Sequence, residues 1–435
     1  MAQLHLNLIQ SFTPVSHLHM SWIHPEDQQA SGLTSARYWK DLAVLLERGK
    51  FDGIFFADAL SVPDDSEDSA RAVIRNGANF PRQDPFPLIA LMADVTQHIG
   101  FGVTLTIAGT PPFLAVRRLT TLDNLIGGRI AWNVVTSHMK TDYHALGLKQ
   151  PAHDDRYEQA EEYMDICYRL WDAFPRSAVL ADKTSRTFID TDQIRKIEYV
   201  GKYYECHGYP VVPCSPQGRP LIFQAGQSGR GLQFATKHAD AIYALQPNIT
   251  AMQTFVAQAT VAGLANGNSA PPRVFFGIQP FLGGTEAEAR QRYEECRANV
   301  PLETGLNRLS GMLGIDLSKH DLDSPLGDFE TDASRGLLAS TLAAMAGRSP
   351  TIREAAAHWG MAIGMMPQLI GTPEQVADDI EKIWRGSGAH GLSIAPTISP
   401  LSVAEFVDGV VPILQRRGLM RTEYAGSTYR QNLAT

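Results

Sequence analysis

The sequence predicts a (β/α)8 (TIM) barrel with long insertions after strands 4 and 7, and three observations carry that prediction. Eight short, near-continuously apolar segments recur along the 435 residues, and amphipathic helical patterns separate them. No GxGxxG follows the first segment, which argues against a doubly wound open sheet.

The eight segments are LHLNLIQ at 4–10, FDGIFFAD at 51–58, FGVTLT at 101–106, RIAWNVVTS at 129–137, PLIFQAG at 220–226, AIYAL at 241–245, RVFFGIQPFL at 273–282 and GLSIAP at 391–396. The helices between them have readable faces and ends. After the third segment, Ala115, Leu119, Leu122 and Ile126 fall on one helical face, and Gly127 and Gly128 stop the helix. In HDDRYEQAEEYMDICYRLW the buried stripe is Tyr157, Ala160, Met164, Cys167 and Trp171, while Asp154 and Asp155 suit a cap and first turn. Before the eighth segment, Thr372 reads as an N-cap, Pro373 as the first helical residue and Glu374 as a first-turn acid.

Two connections are too long for a plain barrel. Residues 139–219 hold a helix and a hairpin around GKYYECHGYPVVP, and residues 284–370 hold several helices. Each follows a strand directly, so both emerge beside the carboxyl ends of the strands, where lids and interface elements sit. The chain, residues 1–435, reads as a single domain with these two insertions.

Composition narrows the function. At 44% hydrophobic and 19% charged the chain can bury a sizeable core, and a net charge of -8 disfavours a nucleic-acid groove or an anionic membrane as partner. No apolar run approaches the roughly 18 to 20 residues of a membrane span, and MAQLHLNLIQ lacks the pattern of a secretion signal, so a cytoplasmic protein is expected. Cys167, Cys206, Cys214 and Cys296 show no CxxC spacing and read as reduced thiols. His17, His19 and His24 lack a nearby Cys, Asp or Glu to complete a site, and no metal is expected.

Reactive groups in such a barrel sit at the carboxyl ends of strands. Asp58 ends the second strand, Thr104 and Thr106 share a face of the third, Asn133 and Ser137 share a face of the fourth, and Gln224 lies near the end of the fifth. Inward polar groups cost roughly 1 to 3 kcal/mol each unless paired, so a bound polar ligand is one explanation for four such strands. The alternative is that these side chains cap helices or bond to neighbouring strands. After the fifth strand, AGQSGRGLQFA combines Gly226, Gly229 and Gly231 with the donors Ser228 and Arg230 at a helix start, a pattern suited to an anion. It is neither the dinucleotide fingerprint nor a Walker loop. His153 precedes another helix and reads either as a solvated cap or as a ligand.

These residues carry a family resemblance. GKFDGIFFAD, TTLDNLIGGRIAWNVVTS, HDDRYEQAEEY, SPQGRPLIFQAGQSGRG and VVPILQRRGLMRTEY, in that order over nearly the whole chain, resemble the flavin-dependent monooxygenases of the bacterial luciferase superfamily. The subgroup is that of nitrilotriacetate monooxygenase, pristinamycin synthase, dibenzothiophene-sulfone monooxygenase and long-chain alkane monooxygenase. The resemblance implies reduced FMN (FMNH2) supplied by a separate NAD(P)H-dependent flavin reductase, reaction with O2 through a flavin peroxide, and oxygenation of a small, moderately apolar organic substrate. It also implies a homodimer or homotetramer.

By the same resemblance Asp58, Thr104, Asn133, Ser137 and His138 line the flavin, and His153, Tyr157, Ser228, Gly229 and Arg230 hold its ribityl phosphate end. Phe12, Phe56 and Tyr243 match an aromatic substrate wall, with Tyr243 standing where the sulfone enzymes have phenylalanine. Met312 departs from the pattern, because those enzymes carry a histidine there that is implicated in catalysis. Thr13 stands where the alkane enzyme has cysteine, although His138 agrees with that enzyme. The competing expectations are a deazaflavin-dependent hydride transferase and a flavin-binding protein without turnover.

Overall fold

The computed structural model describes residues 3–62, 67–137, 139–227, 229–313, 315–328, 349–361 and 366–435. All eight apolar segments form strands: β1 (His5–Gln10), β2 (Gly53–Phe56), β3 (Gly100–Thr106), β4 (Ile130–Val135), β5 (Leu221–Gln224), β6 (Ala241–Ala244), β7 (Val274–Leu282) and β8 (Gly391–Ile394). Each pairs in parallel with its chain neighbours, and β8 pairs with both β7 and β1, which closes the barrel.

Strand alternation divides the apolar residues into two sets. Ile9, Phe55, Ala131, Leu221, Phe223, Ala241, Tyr243 and Phe275 point into the barrel. Leu8, Ile54, Phe56, Val103, Trp132, Ile222 and Ile242 point outward and are covered by helices. The helix Pro112–Leu125 buries Ala115, Leu119 and Leu122 and ends where Gly127 and Gly128 take positive φ. The helix Pro373–Ser387 begins with a capping box in which Thr372 and Gln375 satisfy each other's backbone amides.

The floor of the barrel was not foreseen in the sequence. The last helix, Tyr429–Leu433, inserts Tyr429 from below, where its hydroxyl donates to Asn7 Oδ1 at 2.8 Å and its ring meets Phe223 edge-on. Glycine at 53 and 100 makes room, since a Cβ at either position would run into the Tyr429 ring. The tail is tied down by Arg421, whose Nη2 donates to Asp52 Oδ1 and to Asn432 O, each at 2.7 Å. Burial pushes the Asp52 carboxyl up, but His5 and Arg421 together hold it below the usual range.

Extra elements follow β4 and β7. The helix His153–Asp172 packs between the helices Pro112–Leu125 and Gly229–His238, so it serves as the covering helix after β4. Its N-cap is Ala152, with Asp154 and Asp155 both inside the first turn, which corrects the expectation of an aspartate cap. The hairpin Ile197–Val200/Glu205–Gly208 matches expectation, and a second hairpin, Val179–Asp182/Thr187–Ile189, precedes it. In residues 284–370 the helices Glu286–Asn299, Leu302–Leu313 and Ile352–Met361 are followed by a short strand, Gln368–Gly371, that pairs with the far half of β7. Gly305 lets two of these helices touch, because a Cβ there would collide with the Ala356 carbonyl. Leu306, Leu309, Ile352 and Trp359 form a separate apolar core under them.

Candidate active site

A cavity of about 670 Å³ opens at the carboxyl ends of the strands, within the size range of small-molecule sites. Its floor is apolar: Ile9, Phe55, Tyr243, Leu245 and the bare backbone of Gly277. Tyr243 stacks on Phe55 with ring centres 4.4 Å apart and on Phe275 at 5.3 Å. Its wall is polar, formed by Asp58, Thr104, Thr106, Asn133, Ser137 and Gln224. The sequence reading of polar strand ends thus describes one place.

Register explains how the wall is built. Thr104 on β3 lies directly opposite Asn133 on β4, both facing inward. Asn133 Nδ2 donates to Thr104 Oγ1 at 2.9 Å, and Thr104 Oγ1 in turn donates to Phe56 O at 2.8 Å. Asn133 Oδ1 is buried and has no partner among the described residues. One residue pair higher, Ser137 Oγ donates to Thr106 Oγ1 at 3.0 Å, while Thr106 Oγ1 also accepts from Ala108 N. Ser137 holds a left-handed backbone (φ 50°), and its carbonyl accepts from Arg156 Nη1. Arg156 was not singled out in the sequence, because a helical arginine directly after an acidic pair gives no pattern that marks it.

Asp58 follows β2. Its Oδ1 accepts from Ala59 N at 2.9 Å and from Arg82 Nη1 at 3.4 Å. Burial pushes the carboxyl up to about 6, against the opposing pull of Arg82. On the far side, Gln227 Oε1 accepts from Leu245 N at 3.0 Å and Tyr157 lines the wall. Gly226 approaches Gly231 so closely that a Cβ would meet its carbonyl, and the helix Gly229–His238 begins with Gly229 at φ 51°.

The cavity therefore brings together Asp58, Thr104, Asn133, Ser137, Tyr157 and Tyr243. Gly229 and Arg230 open the helix Gly229–His238, where both are exposed and neither lines the cavity. His138 and Ser228 lie outside the described residues, as do the side chains of His153 and Met312. Two expected residues are elsewhere. Phe56 is fully buried on the outward face of β2 against Trp39, so the strand alternation puts Phe55 on the cavity floor instead. Phe12 also packs edge-on against Trp39, with ring centres 5.1 Å apart, and is not on the cavity wall. His17 and His19 are buried near Arg308, and burial together with that guanidinium holds His17 down to about 3 and His19 well below its usual range. The four cysteines are free thiols.

No helix among the described residues is long and apolar enough to cross a membrane. The profile of the luciferase-like monooxygenases matches residues 17–391. The chain is 36% identical to dibenzothiophene-sulfone monooxygenase from Rhodococcus erythropolis (strain XP), over 99% of this chain and 96% of that protein. It is 34% identical to nitrilotriacetate monooxygenase component A from Aminobacter aminovorans, over 95% and 92% respectively. The crystal structure of DmoA from Hyphomicrobium sulfonivorans superposes with a TM-score of 0.92 at 35% identity, covering 99% of this chain and 92% of that one. The chain belongs to the luciferase-like monooxygenase family, an oxygen-using, flavin-dependent oxidoreductase whose barrel ends in the cavity described above.

Proposed function

We propose that this protein is the oxygenase component of a two-component system that takes FMNH2 from a separate NAD(P)H-dependent reductase and oxygenates a small organic molecule. The observation that carries the reading is Asn133, an amide at the bottom of the polar wall with one end bonded to Thr104 and the other buried with no partner among the described residues. A buried acceptor left open costs about 1–3 kcal/mol, and a ligand N–H would recover it. An isoalloxazine edge supplies alternating carbonyl and N–H groups of that kind.

Thr104, Asn133 and Ser137, with His138, orient the ring from β3 and β4. Gly229 at the helix start, with Ser228, Arg230, His153 and Tyr157, holds the phosphate end through backbone amides and the helix dipole. Bound reduced flavin supplies the electrons that activate O2. The apolar floor of Ile9, Phe55, Tyr243 and Leu245 excludes water from the reacting face and seats the substrate. Leu245 also packs against the helices of residues 284–370, so that insertion covers the chamber. We place the enzyme in the cytoplasm as a homodimer or homotetramer.

The test is anaerobic loading with FMNH2 followed by rapid mixing with oxygenated buffer. The expected result is oxidation of bound flavin much more slowly than free flavin, with faster turnover when a substrate is added. Oxidation at the free-flavin rate across a substrate panel would overturn the reading.

A further inference from the structure

One cationic side chain on the cavity wall is unaccounted for by the flavin reading. Arg82 lies on the loop between the helix Glu67–Arg75 and the helix Pro85–Ala93, fixed by the bond from Gln83 N to Phe12 O at 2.9 Å. Its side chain is only 20% exposed and lines the cavity. Among the described residues its buried Nε has no partner, and its Nη1 makes one long contact, 3.4 Å, to Asp58 Oδ1. Charge-assisted hydrogen bonds run about 2.7–2.9 Å, so this pairing is slack.

Among the described residues, the other two carboxylates lining the cavity, Asp84 and Asp142, already have partners. Asp84 Oδ1 caps the next helix through Phe86 N at 2.9 Å, and its Oδ2 accepts from Arg118 Nη2 at 3.0 Å. Asp142 Oδ1 accepts from Ser61 Oγ at 2.7 Å. A guanidinium offers five donors in a planar fork matched to a carboxylate. Arg82 presents that fork into a chamber where Asp58 contacts one tine from the side.

Position separates this cation from the flavin's own anion. Arg82 and Asp58 stand at the end of β2, whereas the glycine-rich helix start follows β5, with β3 and β4 between them in the ring. We propose that Arg82 is the anchor for an anionic group of the substrate, a carboxylate or a group of equivalent shape and charge, which displaces Asp58 from it. This rests on reading the cavity as a shared flavin and substrate chamber. The substrate then has two parts: an oxidisable apolar portion over Phe55 and Tyr243, and an acid held at Arg82.

The test uses thiodiacetate and its dimethyl ester, which share one carbon and sulfur skeleton and differ in charge, titrated calorimetrically into the full-length protein with and without saturating FMN. Wild type should prefer the diacid by about tenfold or more. Arg82→Met should erase the preference, Arg82→Lys should retain part of it, and Asp58→Asn, which removes the internal competitor, should strengthen diacid binding.

FMN and riboflavin titrations of Arg82→Met decide whose anion the residue serves, and both should bind as in wild type. Selective loss of FMN would assign Arg82 to the flavin phosphate and overturn the proposal. So would equal affinity of wild type for diacid and ester, no diacid binding at about 10 mM, or a preference that survives in Arg82→Met. Because the diacid titration also runs without FMN, failure of flavin binding would strike the functional reading alone.

Discussion

Asn133 on β4 and Thr104 on β3 are register partners whose side chains meet inside the barrel at 2.9 Å, and only one end of the Asn133 amide is used by that bond. The pair is an ordered donor and acceptor array built before any ligand arrives, which is the condition for orienting a ligand cheaply. Asn133→Ala removes the open acceptor but leaves Thr104 bonded to Phe56 O. FMNH2 should bind about tenfold more weakly, equivalent to about 1.4 kcal/mol, with little change in melting temperature. Anaerobic titration checks the first statement and calorimetry the second; unchanged affinity would remove Asn133 from the flavin site.

Phe55 and Phe56 are neighbours with opposite fates. Phe56 is enclosed between β2 and Trp39, so Phe56→Ala should cost about 3–5 kcal/mol of stability through the cavity it leaves. Phe55 stacks on Tyr243 at the chamber floor, so Phe55→Leu should raise the KM for substrate while costing far less stability. Thermal melts and steady-state kinetics on the two variants separate the roles, and a reversal of the two effects would restore the substrate wall to Phe56.

The contrast between these two residues also shows what the sequence could and could not disclose. Eight apolar runs were visible because a parallel strand covered on both faces needs no polar residue to interrupt it, and the closed ring followed from their number. The polar wall was visible because Thr104, Asn133 and Ser137 break that rule at strand ends. Which of two adjacent phenylalanines faces inward depends on the parity of the strand, and GIFF is apolar at every position. Arg82 sits in an irregular loop, where no periodicity assigns a direction. Tyr429 is 422 residues from Asn7, and no local pattern announces a side chain that enters the barrel from the end of the chain.

Asp58 should leave a pH signature in stability. Its folded carboxyl is raised from an ordinary value of 3.8 to about 6 by burial, so the folded state binds this proton more tightly than the unfolded one. Keeping the group ionised in the fold then carries a cost that is absent below about pH 4, grows as pH rises towards 6, and is constant above it, about 3 kcal/mol at most. Asp58→Asn lacks this titration. The melting temperature of the variant relative to wild type should therefore climb between pH 4 and pH 7 and flatten beyond. A difference that is flat across that range would mean that Asp58 titrates normally.

The fit of Tyr429 beneath the barrel makes a prediction of non-additivity. Gly100 on β3 has no room for a side chain because the Tyr429 ring occupies the space where its Cβ would be. Gly100→Ala forces the ring or the strand to move and should cost about 1–3 kcal/mol. Tyr429→Ala opens a cavity, loses the bond to Asn7 and should cost about 3–5 kcal/mol. In the double variant the added methyl enters space the ring has vacated, so the combined loss should fall short of the sum by about 1 kcal/mol or more. Equilibrium unfolding of the four proteins closes the cycle. Strict additivity would mean that the C-terminal helix does not seat its tyrosine against β3, and that the floor of the barrel is closed by something other than this plug.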